Sequence, residues 1–260
     1  MCLPKNVQKI DILGVKVDAI NLSLACQRIE CWIQKHIKTY VCIAPVATII
    51  DAQKDVKYRE IVNNAGMVTP DGMPVVWIGK KLKKNKVIER TYGPDLMRDF
   101  CQLSQDKGYR HYFYGGLEDT LVKLKSNLLE QFPRLNISGL FSPPMLDIGE
   151  DESQDVLDQI NAAKPDVLWV GLGSPKQDYW MVQHRNKLDV PVMIGVGAAF
   201  DFFAGTKRQA PVWIQKSGLE WLFRLCSEPK RLWRRYVLGN TLFIFLILKE
   251  TITGRIFKPS

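Results

Sequence analysis

The stretch Leu168-Trp-Val-Gly-Leu-Gly-Ser-Pro175 decides the fold. Residues 166–170 form a short apolar run of strand length that enters Gly171 and Gly173 without a polar break. Ser174 then reads as an N-cap and Pro175 as the first position of a helix reaching about Leu188. A strand passing through glycines into a helix start is the repeating unit of a parallel sheet, and it leaves an anion-binding helix end at the sheet's carboxyl edge. Two more stretches repeat the pattern: YFYGG at 112–116 and MIGVGAAFDFFAG at 193–205. Gly115, Gly116, Gly171, Gly197 and Ala198 thus fall on one expected edge, where small residues let backbone amides approach a phosphate or sugar.

Outward from that edge, strand and helix patterns alternate. Strands are predicted over 10–17, 39–44, 109–114, 136–141 and 191–196, and a short strand entering a turn within 67–74. Helical patterns fall over 21–35, from 45 up to Gly66, and over 94–107, 118–132 and 151–163, with Gly108 as a stop and a Pro/Gly loop over 142–149. Everything after Gln209 reads as helix. The class is α/β, a mainly parallel Rossmann-like sheet with helices on both faces, followed by a helical C-terminal appendage. The expected division is an α/β core over 1–205 and a basic helical appendage over 206–260.

Charge separates these two parts. The chain has 260 residues and a net charge of +9, with 46% hydrophobic and 24% charged residues, a composition that excludes disorder and a polytopic membrane protein. From Thr206 onward there are eleven Lys/Arg against three Asp/Glu, which leaves the first 205 residues with 25 against 24. The asymmetry points to a partner with an anionic surface. The six cysteines include no C-x-x-C pair, the N-terminus lacks the apolar run of a signal peptide, and the most apolar stretch, 242–248, is too short to span a bilayer. A reducing cytoplasmic location is expected.

Several residues could carry chemistry. Asp71, in Pro70-Asp71-Gly72, is either a turn former or a general base at a pocket mouth. Asp201, set among Phe200, Phe202 and Phe203, is either satisfied by backbone amides or placed against a ligand. Lys176 and Gln177 stand beside the anion-binding helix start. No G-x-S-x-G or H-x-x-x-H occurs, and no Asp-x-Asp, so neither a serine nucleophile nor a metal site is expected, and no cofactor. Gly171-Leu-Gly173 lacks the third glycine of a dinucleotide fingerprint, although Asp189 has the spacing of a ribose acid. Arg224, Arg231 and Arg235 share one helical face, where they could neutralise a diphosphate in place of a metal. With Trp221, Trp233, Phe243 and Phe245 close by, this segment suits an anionic membrane surface better than nucleic acid.

These motifs together resemble the WecG/TagA/CpsF family of bacterial glycosyltransferases (glycosyltransferase family 26). The resemblance spans roughly residues 40–240 and rests on TPDGMPVVW (69–77), YGPDLM (92–97), YFYGG, PDVLWVGLGSPKQDYWM (165–181), GVGAAFDFFAG (195–205) and QAPVWIQKSGLEWLFRLCSEPKRLWRRY (209–236). It implies a GT-E type fold and transfer of a hexose or N-acetylhexosamine from a UDP-sugar donor to a polyprenyl-diphosphate-linked saccharide, with inversion and without a metal. The reaction would serve exopolysaccharide, capsule or wall-polymer synthesis on the inner face of the cell membrane, with the enzyme bound peripherally. Carried over by motif, Asp71 is the base and Gln177 contacts sugar or acceptor. Gly115, Gly116, Gly171, Ser174, Gly197, Ala198, Phe200 and Asp201 form the uridine-diphosphate crest, and Arg224, Arg231 and Arg235 stabilise the leaving diphosphate. Arg90 is an added candidate for diphosphate or acceptor contact. One departure stands out. Where many members carry Thr-x-Asn or a His after the second strand, residues 41–48 read VCIAPVAT, with Thr48 as the remaining hydroxyl. N-acetylmannosamine is therefore not carried over as donor. The alternatives are a non-catalytic or NAD-type nucleotide-binding protein and a nucleic-acid binder; a homo-oligomer is compatible with the sequence.

Overall fold

The computed structural model describes residues 7–82, 84–144 and 147–254. Cys2, part of the 142–149 loop and the chain beyond Gly254 lie outside the described residues. The strand expected over 10–17 is instead a hairpin, β1 (Lys9–Ile12) and β2 (Val15–Asp18), paired antiparallel and separate from the main sheet. The break comes at Leu13 and Gly14, both at positive φ, where the Gly14 N–H donates to Asp11 Oδ1 at 2.8 Å and closes the turn.

The main sheet contains β3 (Thr39–Ala44), β4 (Met67–Pro70), β5 (Arg110–Tyr114), β6 (Asn136–Phe141), β7 (Val167–Val170) and β8 (Val192–Gly195). Their order is β4-β3-β8-β7-β5-β6 and every neighbouring pair is parallel. The apolar runs in the sequence have their explanation in the two faces of this sheet. Tyr40, Cys42 and Ala44 of β3 join one core, with Leu168 and Val170 of β7. Val41 and Ile43 enter the other, with Val167 and Trp169. Because side chains alternate along a strand, a sheet covered on both sides needs consecutive apolar residues.

Helices supply the covers. Leu22–Gln34, Gly93–Lys107 and Glu118–Gln131 close one face. Val46–Lys54, Val56–Asn63, Gln154–Ala162 and Lys176–His184 close the other. Asn21 caps the first of these, its side chain accepting from the Leu24 N–H at 2.9 Å. Gly108, left-handed at φ 69°, ends Gly93–Lys107 as its sequence position implies.

The C-terminal stretch is helical but not one helix. It runs through Val212–Lys216, Glu220–Ser227, Pro229–Trp233, a π-helical segment Arg234–Leu238, and Gly239–Ile252. Gly218, at φ 78°, and Pro229, which cannot extend a preceding helix, make the breaks. The last helix packs against Val46–Lys54, with Phe243 buried in the core. A short helix over Ala199–Phe203, absent from the sequence expectation, follows β8.

Candidate active site

The carboxyl ends of β3, β4, β7 and β8 form the floor of a cleft, and the C-terminal stretch forms its opposite wall. Asp71 is the first residue beyond β4. Its N–H donates to the Ala44 carbonyl (3.3 Å), and the neighbouring Pro70 carbonyl accepts from the Thr91 N–H at 2.8 Å. The second bond draws Arg90 alongside, so that its Nε lies 4.0 Å from Asp71 Oδ1. Arg90 stacks on the Tyr92 ring at 4.0 Å, donates from Nη1 to Gln215 Oε1 at 2.7 Å and pairs with Glu220. The Asp71 side chain is 16% exposed. Burial pushes its pKa up to about 6; Glu220 and Asp95 add to the rise, and Arg90 and Arg224 oppose it.

Two cavities meet at Asp71. One, of about 250 Å³, is lined by the 171–174 loop, Gln177, the 195–199 segment, Asp201, Lys207, Arg224, Arg231 and Arg235. The other, about 100 Å³, lies between Pro45, Val46, Ala47 and Met73 on one side and Trp221, Tyr236 and Asn240 on the other. Arg224, Arg235 and Tyr92 border both. The three arginines do not share one continuous helix as the sequence spacing implied, because the chain breaks at Pro229: Arg224 lies before the break, and Arg231 and Arg235 follow it in the contiguous Pro229–Trp233 and Arg234–Leu238 segments. They converge on the larger cavity nonetheless. Arg224 stacks over Phe202 and Arg231 pairs with Glu228 at 2.6 Å.

Other expected residues are placed differently. The helix after β7 begins at Lys176 with Pro175 preceding it, so Ser174 is not its cap; the Ser174 hydroxyl instead accepts from Gln177 Nε2 at 3.1 Å. Gln177 is buried, and its Oε1 accepts from the N–H groups of both Gly173 (3.1 Å) and Gly197 (2.9 Å). Its amide is occupied in tying the β7 and β8 loops together. Lys176 lines neither cavity. Nor do Gly115 and Gly116, which serve packing: a Cβ at Gly115 would come within 2.8 Å of the Gly171 backbone, and Gly116 lies against Phe200. Phe200 is buried beneath Gly171, where a Cβ would meet its ring at 2.5 Å. Thr48 is also buried, on the inward side of Val46–Lys54, and the lining at that turn falls to Pro45, Val46 and Ala47. Asp201 does line the larger cavity, held by Lys207 Nζ at 2.8 Å and the Thr206 hydroxyl at 3.2 Å.

Sequence reasoning missed Glu220, Gln215, Tyr92, Lys207 and Asp178. Glu220 carried a signal, being the single acid between residues 202 and 227. Asp178 carried none, yet it is fully buried, accepts from the Tyr58 hydroxyl at 2.7 Å, and burial pushes its pKa up to about 6. Asp189, the candidate ribose acid, pairs with Lys38 at 2.9 Å and stands 84% exposed before the amino end of β8, away from the cleft. Among the described residues no cluster of three or more His, Cys, Asp and Glu is arranged to hold a metal ion.

A parallel α/β sheet with glycine-rich loops, convergent arginines and an acid of raised proton affinity at its carboxyl edge is the architecture of nucleotide-dependent group transfer. The chain belongs to the Glycosyl transferase WecG/TagA/CpsF family, whose model matches residues 10–256. It is 29% identical over 231 residues to an N-acetylglucosaminyldiphosphoundecaprenol N-acetyl-beta-D-mannosaminyltransferase of Staphylococcus aureus (strain MW2), covering 88% of this chain and 89% of that protein. It is 28% identical over 236 residues to the protein of the same description from Bacillus subtilis (strain 168), with 88% of each covered.

Proposed function

We propose that the protein transfers a sugar from a UDP-sugar to a polyprenyl-diphosphate-linked saccharide, with Asp71 as general base. The observation that carries the reading is the position of Asp71 in the shared wall of two cavities of different character. The larger, basic cavity suits the donor diphosphate, with Arg224, Arg231, Arg235 and Lys207 around it. The smaller one suits the acceptor's terminal sugar, with Trp221 and Tyr236 for its apolar face. The acceptor hydroxyl attacks the anomeric carbon as its proton passes to Asp71, and the bond from that carbon to the UDP oxygen breaks. A single displacement of this kind inverts the anomeric centre. The arginines stabilise the departing diphosphate in the role a metal plays elsewhere.

The C-terminal stretch supports peripheral membrane binding on the side where lipid-linked sugars are built, the inner face. No helix among the described residues is long and apolar enough to cross a membrane. Ile244, Phe245, Leu248 and Ile252 are nevertheless exposed on the last helix, and Trp213 and Trp233 are exposed on earlier segments of the same stretch. Apolar side chains among Lys216, Lys230, Arg234 and Lys249 match an anionic lipid interface. The S. aureus and B. subtilis relatives make UDP-N-acetylmannosamine and an N-acetylglucosaminyl-diphosphate lipid the first pair to assay. Pro45 borders both cavities while Val46 and Ala47 line the smaller one, so the 45–47 turn is where recognition of the acceptor sugar would differ. Turnover of one UDP-sugar against a short-chain polyprenyl-diphosphate saccharide supports the reading. Failure of every UDP-sugar, with no shift of the melting temperature by UDP, overturns it.

A further inference from the structure

Arg90 stands between two carboxylates that belong to different parts of the chain. Asp71 follows β4, whereas Glu220 opens the helix Glu220–Ser227 on the C-terminal stretch. The outer nitrogens of the guanidinium are engaged from that stretch, Nη1 by Gln215 and Nη2 by Glu220. Gln215 is itself fixed, its Nε2 donating to the Ala210 carbonyl at 2.7 Å. The inner nitrogen, Nε, is buried, makes no hydrogen bond and faces Asp71 across 4.0 Å. Tyr92 supports the guanidinium plane from the side. Loss of the Glu220 carboxylate would leave Nη2 without its charged partner and the guanidinium, held then by the neutral Gln215, free to turn toward Asp71, the charge-assisted pairing that arginine and carboxylate favour.

Resting on Asp71 being the base, we propose that Glu220 is its positioning residue: by holding Arg90, it keeps the guanidinium from closing on Asp71, so that Asp71 is a competent base when the C-terminal stretch is seated. Donor binding would then be linked to base strength, because the arginines that line the diphosphate cavity lie on the same stretch as Glu220. The groups facing Asp71 are Arg90 and Tyr92, Asp95 on Gly93–Lys107, Glu220 and Arg224, and Arg235 and Tyr236 of the π-helical segment. Glu220 is the member of this set that both repels the ionised base and restrains the cation closest to it.

The test is the acid limb of kcat/KM against pH in the full-length protein with its lipid-linked acceptor, for E220Q, E220D and R90Q/E220Q, with UDP-induced stabilisation as the check of folding. In E220Q, Arg90 turns to Asp71, and the limb moves to lower pH by about one unit while the plateau falls. E220D, one methylene shorter, shifts it the same way by less, and serves where E220Q does not fold. In R90Q/E220Q the cation is gone and burial dominates, so the limb moves above its wild-type position. Water entering a loosened site would instead lower both limbs alike. That outcome, or an E220Q limb that stays in place, overturns the proposal. D71N run in parallel separates the two readings. If D71N is inactive and the limbs fail to diverge, Asp71 stands as base and the role of Glu220 falls; if D71N is fully active, both fall.

Discussion

Asp71 and Arg90 face one another at 4.0 Å, near enough for attraction and too far for a hydrogen bond. They lie nineteen positions apart in the chain, and the Thr91 N–H to Pro70 carbonyl bond joins the two segments. That spacing leaves the carboxylate unclaimed in a partly buried site, where its proton affinity stays high.

D71N should reduce transfer by about 10²–10⁴-fold while UDP still raises the melting temperature. The same variant has a stability signature. A carboxyl with a pKa of about 6 in the folded protein, against an ordinary 3.8, holds its proton more tightly folded than unfolded. Its contribution therefore favours the folded state increasingly as pH falls from above 6 toward 4. D71N should be more stable than the wild type by about 1–3 kcal/mol at pH 8, and the two should converge near pH 4. Melting curves across that range check this; a constant difference would point to another cause.

Gln177 holds the β7 and β8 loops through one carbonyl oxygen. Q177A leaves two N–H groups without their acceptor, at about 1–3 kcal/mol for each that stays buried. The expected result is a lower melting temperature and a raised KM for the donor, with a smaller effect on kcat. Q177E keeps an acceptor oxygen and should retain most of the stability. Equal losses in the two variants would argue for direct sugar contact instead.

Gly171 admits no Cβ, since the ring of Phe200 lies where it would go. G171A should destabilise the protein by about 1–3 kcal/mol and weaken UDP binding as Phe200 and the loop before it are displaced. F200L in the G171A background should recover part of the loss, which chemical denaturation can measure.

Arg224, Arg231 and Arg235 reach the larger cavity, proposed for the donor, from either side of the break at Pro229. Alanine at any one should lower kcat/KM by about 10–100-fold, an effect of charge-assisted hydrogen bonds at the leaving diphosphate. Isothermal titration with UDP and with uridine separates causes: uridine binding should be unchanged. Equal weakening of both ligands would mean the wall itself had collapsed.

Phe245 and Leu248 lie on the exposed side of the last helix. The pair F245E/L248E should release the protein from vesicles containing anionic lipid and leave UDP binding intact. Sedimentation with vesicles gives the answer, and undiminished binding would move the contact elsewhere.

The sheet was legible because two covered faces require consecutive apolar residues, and the runs at 39–44, 167–170 and 192–195 are of that kind. The hairpin was not, because its reversal depends on Leu13 adopting positive φ beside Gly14. Asp71, Asp201 and the three arginines could be found from turn chemistry, charge and family motifs. Gly115, Gly116 and Phe200 share those motifs for packing, and a motif does not separate a residue that touches a ligand from one that supports its neighbour. Glu220 and Asp178 went unseen for a related reason: an acid in the first turn of a helix is ordinary in sequence, and its importance arises from Arg90 or Tyr58 on a distant element.

On the proposed membrane seating, the exposed row of Ile244, Phe245, Leu248 and Ile252 has a kinetic consequence. An enzyme held at an interface by such a row meets a lipid-borne acceptor by diffusion in two dimensions. Its velocity should then follow the mole fraction of acceptor in the surface, and adding inert lipid at constant total acceptor should slow it by dilution.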